Sequence, residues 1–171
     1  MPLLEAALLS LTLVFGTVYV HYESLSFVSR QVRRLPHTRV RVFYVVLGTM
    51  AAHLAEIALY GAGYHAGTWL GVGSIGGSQV KSLISVFYFS AETFTSLGFG
   101  DNFPTGNLRL VAGIECLNGF ILIGWSTSFT YLSMRNFWEE YAGAMGEPLA
   151  PAREIGPVRT AAPDASAPPA R

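Results

Sequence analysis

Residues 96–101 read Ser-Leu-Gly-Phe-Gly-Asp, behind an apolar run that starts at Tyr88 and ahead of Pro104. The side chains here offer no nucleophile–base pair and no metal cluster, so the chemistry this spacing supports is that of the backbone. Gly98 and Gly100 take positive φ at little steric cost, which allows every second peptide to be turned. A chain turned in this way aims the carbonyl oxygens of Ser96, Leu97, Gly98 and Phe99 along one narrow path. Such oxygens replace the water around a dehydrated ion. The Ser96 hydroxyl adds one more oxygen at one end, and Gly100 closes the run. Core packing explains a glycine-alternating pentapeptide poorly.

The surrounding chain has to hold that loop, and its composition says in what medium. Of the 171 residues, 51% are hydrophobic and 13% are charged, with formal net charge +0. A soluble domain carries about 25% charged residues, so the deficit marks a membrane protein. Zero net charge removes the electrostatic case for nucleic acid as a partner. Cys116 is the one cysteine, which excludes an intrachain disulfide and a cysteine-rich metal site. It reads as a small packing residue.

Hydropathy predicts three spans and one half-span. Leu3–Val20 is the first, about 27 Å long as a helix. It lacks a basic n-region and carries Glu5, so it reads as a retained helix rather than a signal peptide. Val42–Tyr60 and Leu108–Met134 are the second and third. Between them, Lys81–Phe94 is apolar but too short to cross. Non-helical backbone at membrane depth is tolerated only inside protein or along a water-filled cavity, so a glycine loop after a half-helix already implies a pore or cavity.

Five of the eleven lysines and arginines fall between Arg30 and Arg41. Short arginine-rich loops stay in the cytoplasm. That places the N-terminus outside and the C-terminus inside, with the loop dipping in from the outer face. The arginines flank Pro36 and do not recur at every third position of an apolar helix, which argues against a voltage sensor. The linker Gly61–Gln79 is expected outside, with Trp69 as an interfacial anchor. The Ala/Pro-rich tail after Gly143 is expected to be disordered. The implied units are 1–41 (first helix and basic loop), 42–135 (pore unit) and 136–171 (cytoplasmic tail).

Thr93-Phe94-Thr95-Ser96-Leu97-Gly98-Phe99-Gly100-Asp101 resembles the pore loop of potassium channels, usually Thr-x-Thr-Thr-Val-Gly-Tyr-Gly-Asp. The resemblance covers residues 42–135 and implies an all-α membrane fold. Each chain would contribute three transmembrane helices, a re-entrant pore helix and a selectivity-filter loop. It further implies a homotetramer in the cell (inner) membrane, in contact with lipid and passing K+ as the permeant ion. The first helix is an addition to the two-span pattern. Leu97 and Phe99 side chains are expected to point away from the path and pack against the pore helix. Ser96, Leu97 and Phe99 replace the usual Thr, Val and Tyr, changes that loosen a filter and leave a non-selective cation channel as the alternative. A non-conducting scaffold or sensor is a third reading, and an enzyme is the least supported. Ser90-x-Glu92-Thr93 is similar to the pore helix of proton-gated bacterial members, in which a glutamate behind the filter shares a proton with the aspartate after it. The matching pair here is Glu92 and Asp101; the competing reading has Glu92 bonded only to local backbone. Gly119 lies where that family's inner helix has a hinge glycine, and close helix packing explains it equally well. Gly124 is a second candidate, and Trp125 or Phe129 could narrow the inner mouth.

His53, Glu56 and Glu115 are polar residues within spans, where such groups face protein or water. His53 and Glu56 share a helix face. A metal would need further ligands from elsewhere, and a hydrogen-bonded pair turned toward Glu115 or Asn118 is the expected arrangement.

Overall fold

The computed structural model describes residues 2–35, 37–77 and 83–144. Its elements are α1 (Pro2–Val32), α2 (Thr38–Trp69), β1 (Ile75–Gly77), α3 (Leu83–Phe94), β2 (Asn102–Pro104) and α4 (Leu108–Ala144). Three of these helices, α1, α2 and α4, are long and apolar enough to cross a membrane, and α3 is the short apolar helix between them. Lys81, the tail beyond Ala144 and Pro36 lie outside the described residues.

The spanning helices outrun their hydropathic cores. The 31 residues of α1 make a rod of about 46 Å against a hydrocarbon core of about 30 Å. Apolar composition marks only the part that lipid must solvate, whereas hydrogen bonding carries a helix on through polar residues. So α1 continues into the basic segment, α2 takes in residues 61–69 of the presumed outer linker, and α4 extends to Ala144 through the start of the presumed tail.

α1 shows why the chain suits lipid. Ala6, Ser10, Leu13, Thr17, His21, Leu25 and Val28 recur every three or four positions and are buried, while Leu4, Leu8, Leu11, Phe15 and Tyr19 on the other side are exposed. The outer face is therefore greasier than the inner one, the reverse of a helix that meets water. The buried hydroxyls are satisfied within the helix, Ser10 donating to Ala6 O at 2.8 Å and Thr17 to Leu13 O at 2.8 Å.

Polar side chains join the helices where apolar contact alone gives little drive. Asn118 on α4 donates through Nδ2 to Thr17 Oγ1 on α1 (2.7 Å) and to Tyr60 OH on α2 (3.2 Å). Glu115, one turn earlier, accepts from Tyr64 of α2, and its Oε1 lies 2.6 Å from Ser90 Oγ of α3. Ser90 Oγ also lies 2.9 Å from the Ile57 carbonyl. Tyr60, Tyr64, Phe89, Phe94 and Leu108 pack around these bonds in one buried cluster. A second cluster of Val28, Val32, Val45 and Phe137 sits where α1 turns into α2. There Arg41 Nε closes the turn on Leu35 O at 2.8 Å, and its guanidinium lies 5.7 Å from the Phe137 ring centre. The end of α4 and the α1–α2 turn thus share one end of the molecule.

The two strands were not expected. β1 pairs antiparallel with β2 in the register Ile75↔Pro104, Gly76↔Phe103, Gly77↔Asn102. Thr105 N donates to Ser74 O at 2.8 Å and the two hydroxyls meet at 2.7 Å. The linker ahead of α3 is therefore fastened to the segment that leaves the glycine loop. Ile-Gly-Gly and Asn-Phe-Pro are too short to carry a strand signal of their own, and only pairing makes them strands.

Asn118→Ala removes both of the donor's bonds between α4 and its neighbours. It should lower stability by about 0.5–2 kcal/mol, read from the midpoint of SDS-induced unfolding of the purified protein.

Candidate functional site

α3 ends at Phe94, and the chain does not stop abruptly. Thr95 N reaches Ala91 O at 3.1 Å, Ser96 N reaches Thr93 O at 3.0 Å and Leu97 N reaches Glu92 O at 2.9 Å. Beyond that turn, φ is +59° at Ser96, +54° at Gly98 and +82° at Gly100. Every second residue from 96 to 100 thus lies in the left-handed region, which glycine enters readily and serine does not. In an extended strand successive carbonyls point to opposite sides. Alternating the sign of φ brings them to the same side, so the loop offers a file of oxygens in place of a ladder. Ser96 carries the backbone strain at the α3 end of the loop, and its Oγ lies 3.1 Å from Cys116 Sγ of α4.

Glu92 and Asp101 part company in this structure. Glu92 is buried, and its Oε1 accepts the Phe99 N–H at 3.0 Å. Asp101 is exposed, and no hydrogen bond joins the two carboxyls among the described residues. The helix-borne carboxylate holds the middle of the loop by its backbone, because the turned Phe99 peptide presents its N–H toward α3. Asn102, next along, is buried with Oδ1 unpartnered.

Leu97 and Phe99 do not pack against α3. They are 61% and 67% exposed. Gly119 lies directly under the end of α3. A Cβ there would stand 2.2 Å from the Phe94 carbonyl oxygen, so α4 can meet α3 this closely only with glycine at the crossing. α4 runs through Gly119 and Gly124 without a break. Trp125 and Phe129 line a groove against α1 that Tyr22 and Leu25 complete, and the Trp125 ring lies 5.2 Å from that of His21. They face the first helix.

His53 and Glu56 are bonded, His53 Nδ1 to Glu56 Oε2 at 2.9 Å, but they do not turn toward Glu115 or Asn118. The other carboxylate oxygen, Oε1, meets His21 Nδ1 of α1 at 2.7 Å. Glu115 and Asn118 are already taken by Tyr64, Ser90, Thr17 and Tyr60. Sequence reasoning missed His21 and Cys116. Position 21 is the only histidine of α1 and falls on its buried stripe, which was the available sign; nothing in the spacing pointed from Cys116 to Ser96.

Spanning helices around a short apolar helix and a loop of turned peptides define a pore-loop membrane protein. A family model for ion channels matches residues 40–135, more than half of the chain, and the chain belongs to that family of two-span pore-loop ion channels. It is a multi-pass membrane protein with an additional apolar helix, α1, ahead of the matched region. Comparison with curated proteins and with solved structures returns no match.

Two substitutions test this local geometry. Glu92→Ala strips the buried Phe99 N–H of its acceptor, a loss of about 1–3 kcal/mol to the loop. The decay of current during sustained opening should change, while Glu92→Gln, which keeps an acceptor oxygen, should stay nearer wild type. Gly119→Ala forces α3 and α4 apart at a backbone contact, for about 1–3 kcal/mol, visible as a lowered melting midpoint in detergent.

Proposed function

We propose that four copies of the chain assemble about one axis as a potassium-selective channel, conducting K+ passively down its gradient. The observation that carries this reading is the alternation of positive φ at residues 96, 98 and 100, with Glu92 fixing the peptide between the last two. In a four-fold ring the carbonyls of Ser96, Leu97, Gly98 and Phe99 become successive rings of four oxygens, with the Ser96 hydroxyls below them. One chain offers one loop, so a closed path needs cyclic symmetry. The exposed Leu97 and Phe99 side chains are the surface that neighbouring subunits would cover.

In this reading the arginine-rich end, where the α1–α2 turn meets the end of α4, faces the cytoplasm. The N-terminus of α1 and the β1–β2 tie face outward. Asp101 stands at the outer end of the filter. The pore unit lies within 42–135 and α1 packs against it as an outer helix. No step of this function needs a catalytic group.

Weak selectivity is the competing reading, and it rests on a specific feature. Phe99 has no hydroxyl to anchor it, and the loop is held at its middle by the single bond from Glu92. Reversal potential decides between the two. In a bilayer holding the purified protein, with K+ on one side and Na+ on the other, the reversal should move toward the K+ equilibrium potential. A reversal near zero with sustained current would favour the non-selective channel, and a silent bilayer over a wide pH range would leave a closed channel or the scaffold.

A further inference from the structure

His21, His53 and Glu56 meet where α1, α2 and α4 come together, away from the filter carbonyls. Each contributes one ligand atom, and the three atoms lie within 4.8 Å of one another. Sequence spacing supplies only two of them, His53 and Glu56, one turn apart on α2. The third comes from α1, the helix that precedes the matched channel region. Glu56 and His21 are fully buried and His53 is 20% exposed.

Hydrogen bonding alone leaves this cluster poorly satisfied. Both imidazoles spend Nδ1 on the same carboxylate, and His21 Nε2 is buried with no partner. A carboxylate at membrane depth is costly unless its charge is met. No lysine or arginine is bonded to Glu56 among the described residues; its partners are the two histidines. A divalent cation would supply the missing charge.

We propose that His21, His53 and Glu56 bind a divalent transition-metal ion of zinc type, which fastens α1 to the pore unit. Two imidazoles and one carboxylate suit such an ion, and leave a fourth position for water. Bonds of about 2.0–2.2 Å in a tetrahedron separate the donors by roughly 3.3–3.6 Å. The present hydrogen bonds of 2.7 and 2.9 Å open by less than about 1 Å to admit the ion, whose bonds to the two ring nitrogens replace the hydrogen bonds to Glu56. Each neutral ring then keeps its proton on the other nitrogen. An approach exists as well. His53 lines a groove of about 400 Å3 between α2 and α4. Ser126 lines the same groove, and its buried hydroxyl also lacks a partner.

The site is placed to matter to its surroundings. The His53 ring lies 5.7 Å from that of Phe94, the last residue of α3, and the His21 ring lies 5.2 Å from that of Trp125 on α4. An ion that fixes both histidines fixes a neighbour of α3 at Phe94 and a neighbour of α4 at Trp125. The inference stands whether or not the pore selects potassium.

Co2+ titration of the full-length protein, stripped with chelator in detergent, tests it. The wild type should develop the strong visible absorption of tetrahedral Co2+, saturating at one ion per chain and bleached by Zn2+. Its melting midpoint should rise when Zn2+ is added. His21→Gln and His53→Gln should lose the absorption and the rise, while His65→Gln, at an exposed residue outside the cluster, should keep both. A wild type with neither signal overturns the site whatever the variants do. So does a His21→Gln protein that binds Co2+ as tightly as the wild type.

Discussion

Everything in this molecule answers to one constraint: a polar group held at membrane depth must find its partner inside the protein. The filter loop is the extreme case, because turned peptides cannot satisfy one another. The N–H groups of Ser96, Leu97 and Phe99 are met from behind, by the last turn of α3 and by the Glu92 side chain on Phe99. The carbonyls are thereby left free to face the path. Unused acceptors that would be a defect elsewhere are here the working surface.

The same constraint explains the sidedness of the helix bundle. Glu115, Asn118, Tyr60, Tyr64 and Ser90 form two short chains of hydrogen bonds that tie α4 to α1, α2 and α3 within two turns. Apolar side chains cannot choose between lipid and each other with much preference. Hydrogen bonds can, because lipid offers them nothing. The close contact of Gly119 with the Phe94 carbonyl then sets how near α4 lies to the base of α3, and so to the strained Ser96.

The spans and the glycine loop were legible in the sequence because their signals are local. A run of apolar residues states its own medium, and Gly98 and Gly100 state their own backbone. Helix ends were less legible, since α1, α2 and α4 continue past the residues that hydropathy can see. What could not be read was which faces meet. Glu56 could be placed on a face with His53, but its bond to His21 spans 35 positions and depends on the rotation of α1 against α2. Glu92 could be seen as a buried carboxyl near the loop. That its acceptor oxygen meets the Phe99 peptide, and not Asp101, follows from the turn of one backbone unit. The packing of Trp125 and Phe129 against α1 was hidden for the same reason, because helical spacing gives an angle but no origin.

The small β1–β2 pairing acts as a fixed post on a short leash. Gly77 is pinned to Asn102, and five residues separate it from Leu83 at the start of α3. Six Cα–Cα steps reach at most about 21 Å. The start of α3 therefore cannot swing beyond that radius from the loop's own exit strand, however the outer helices move.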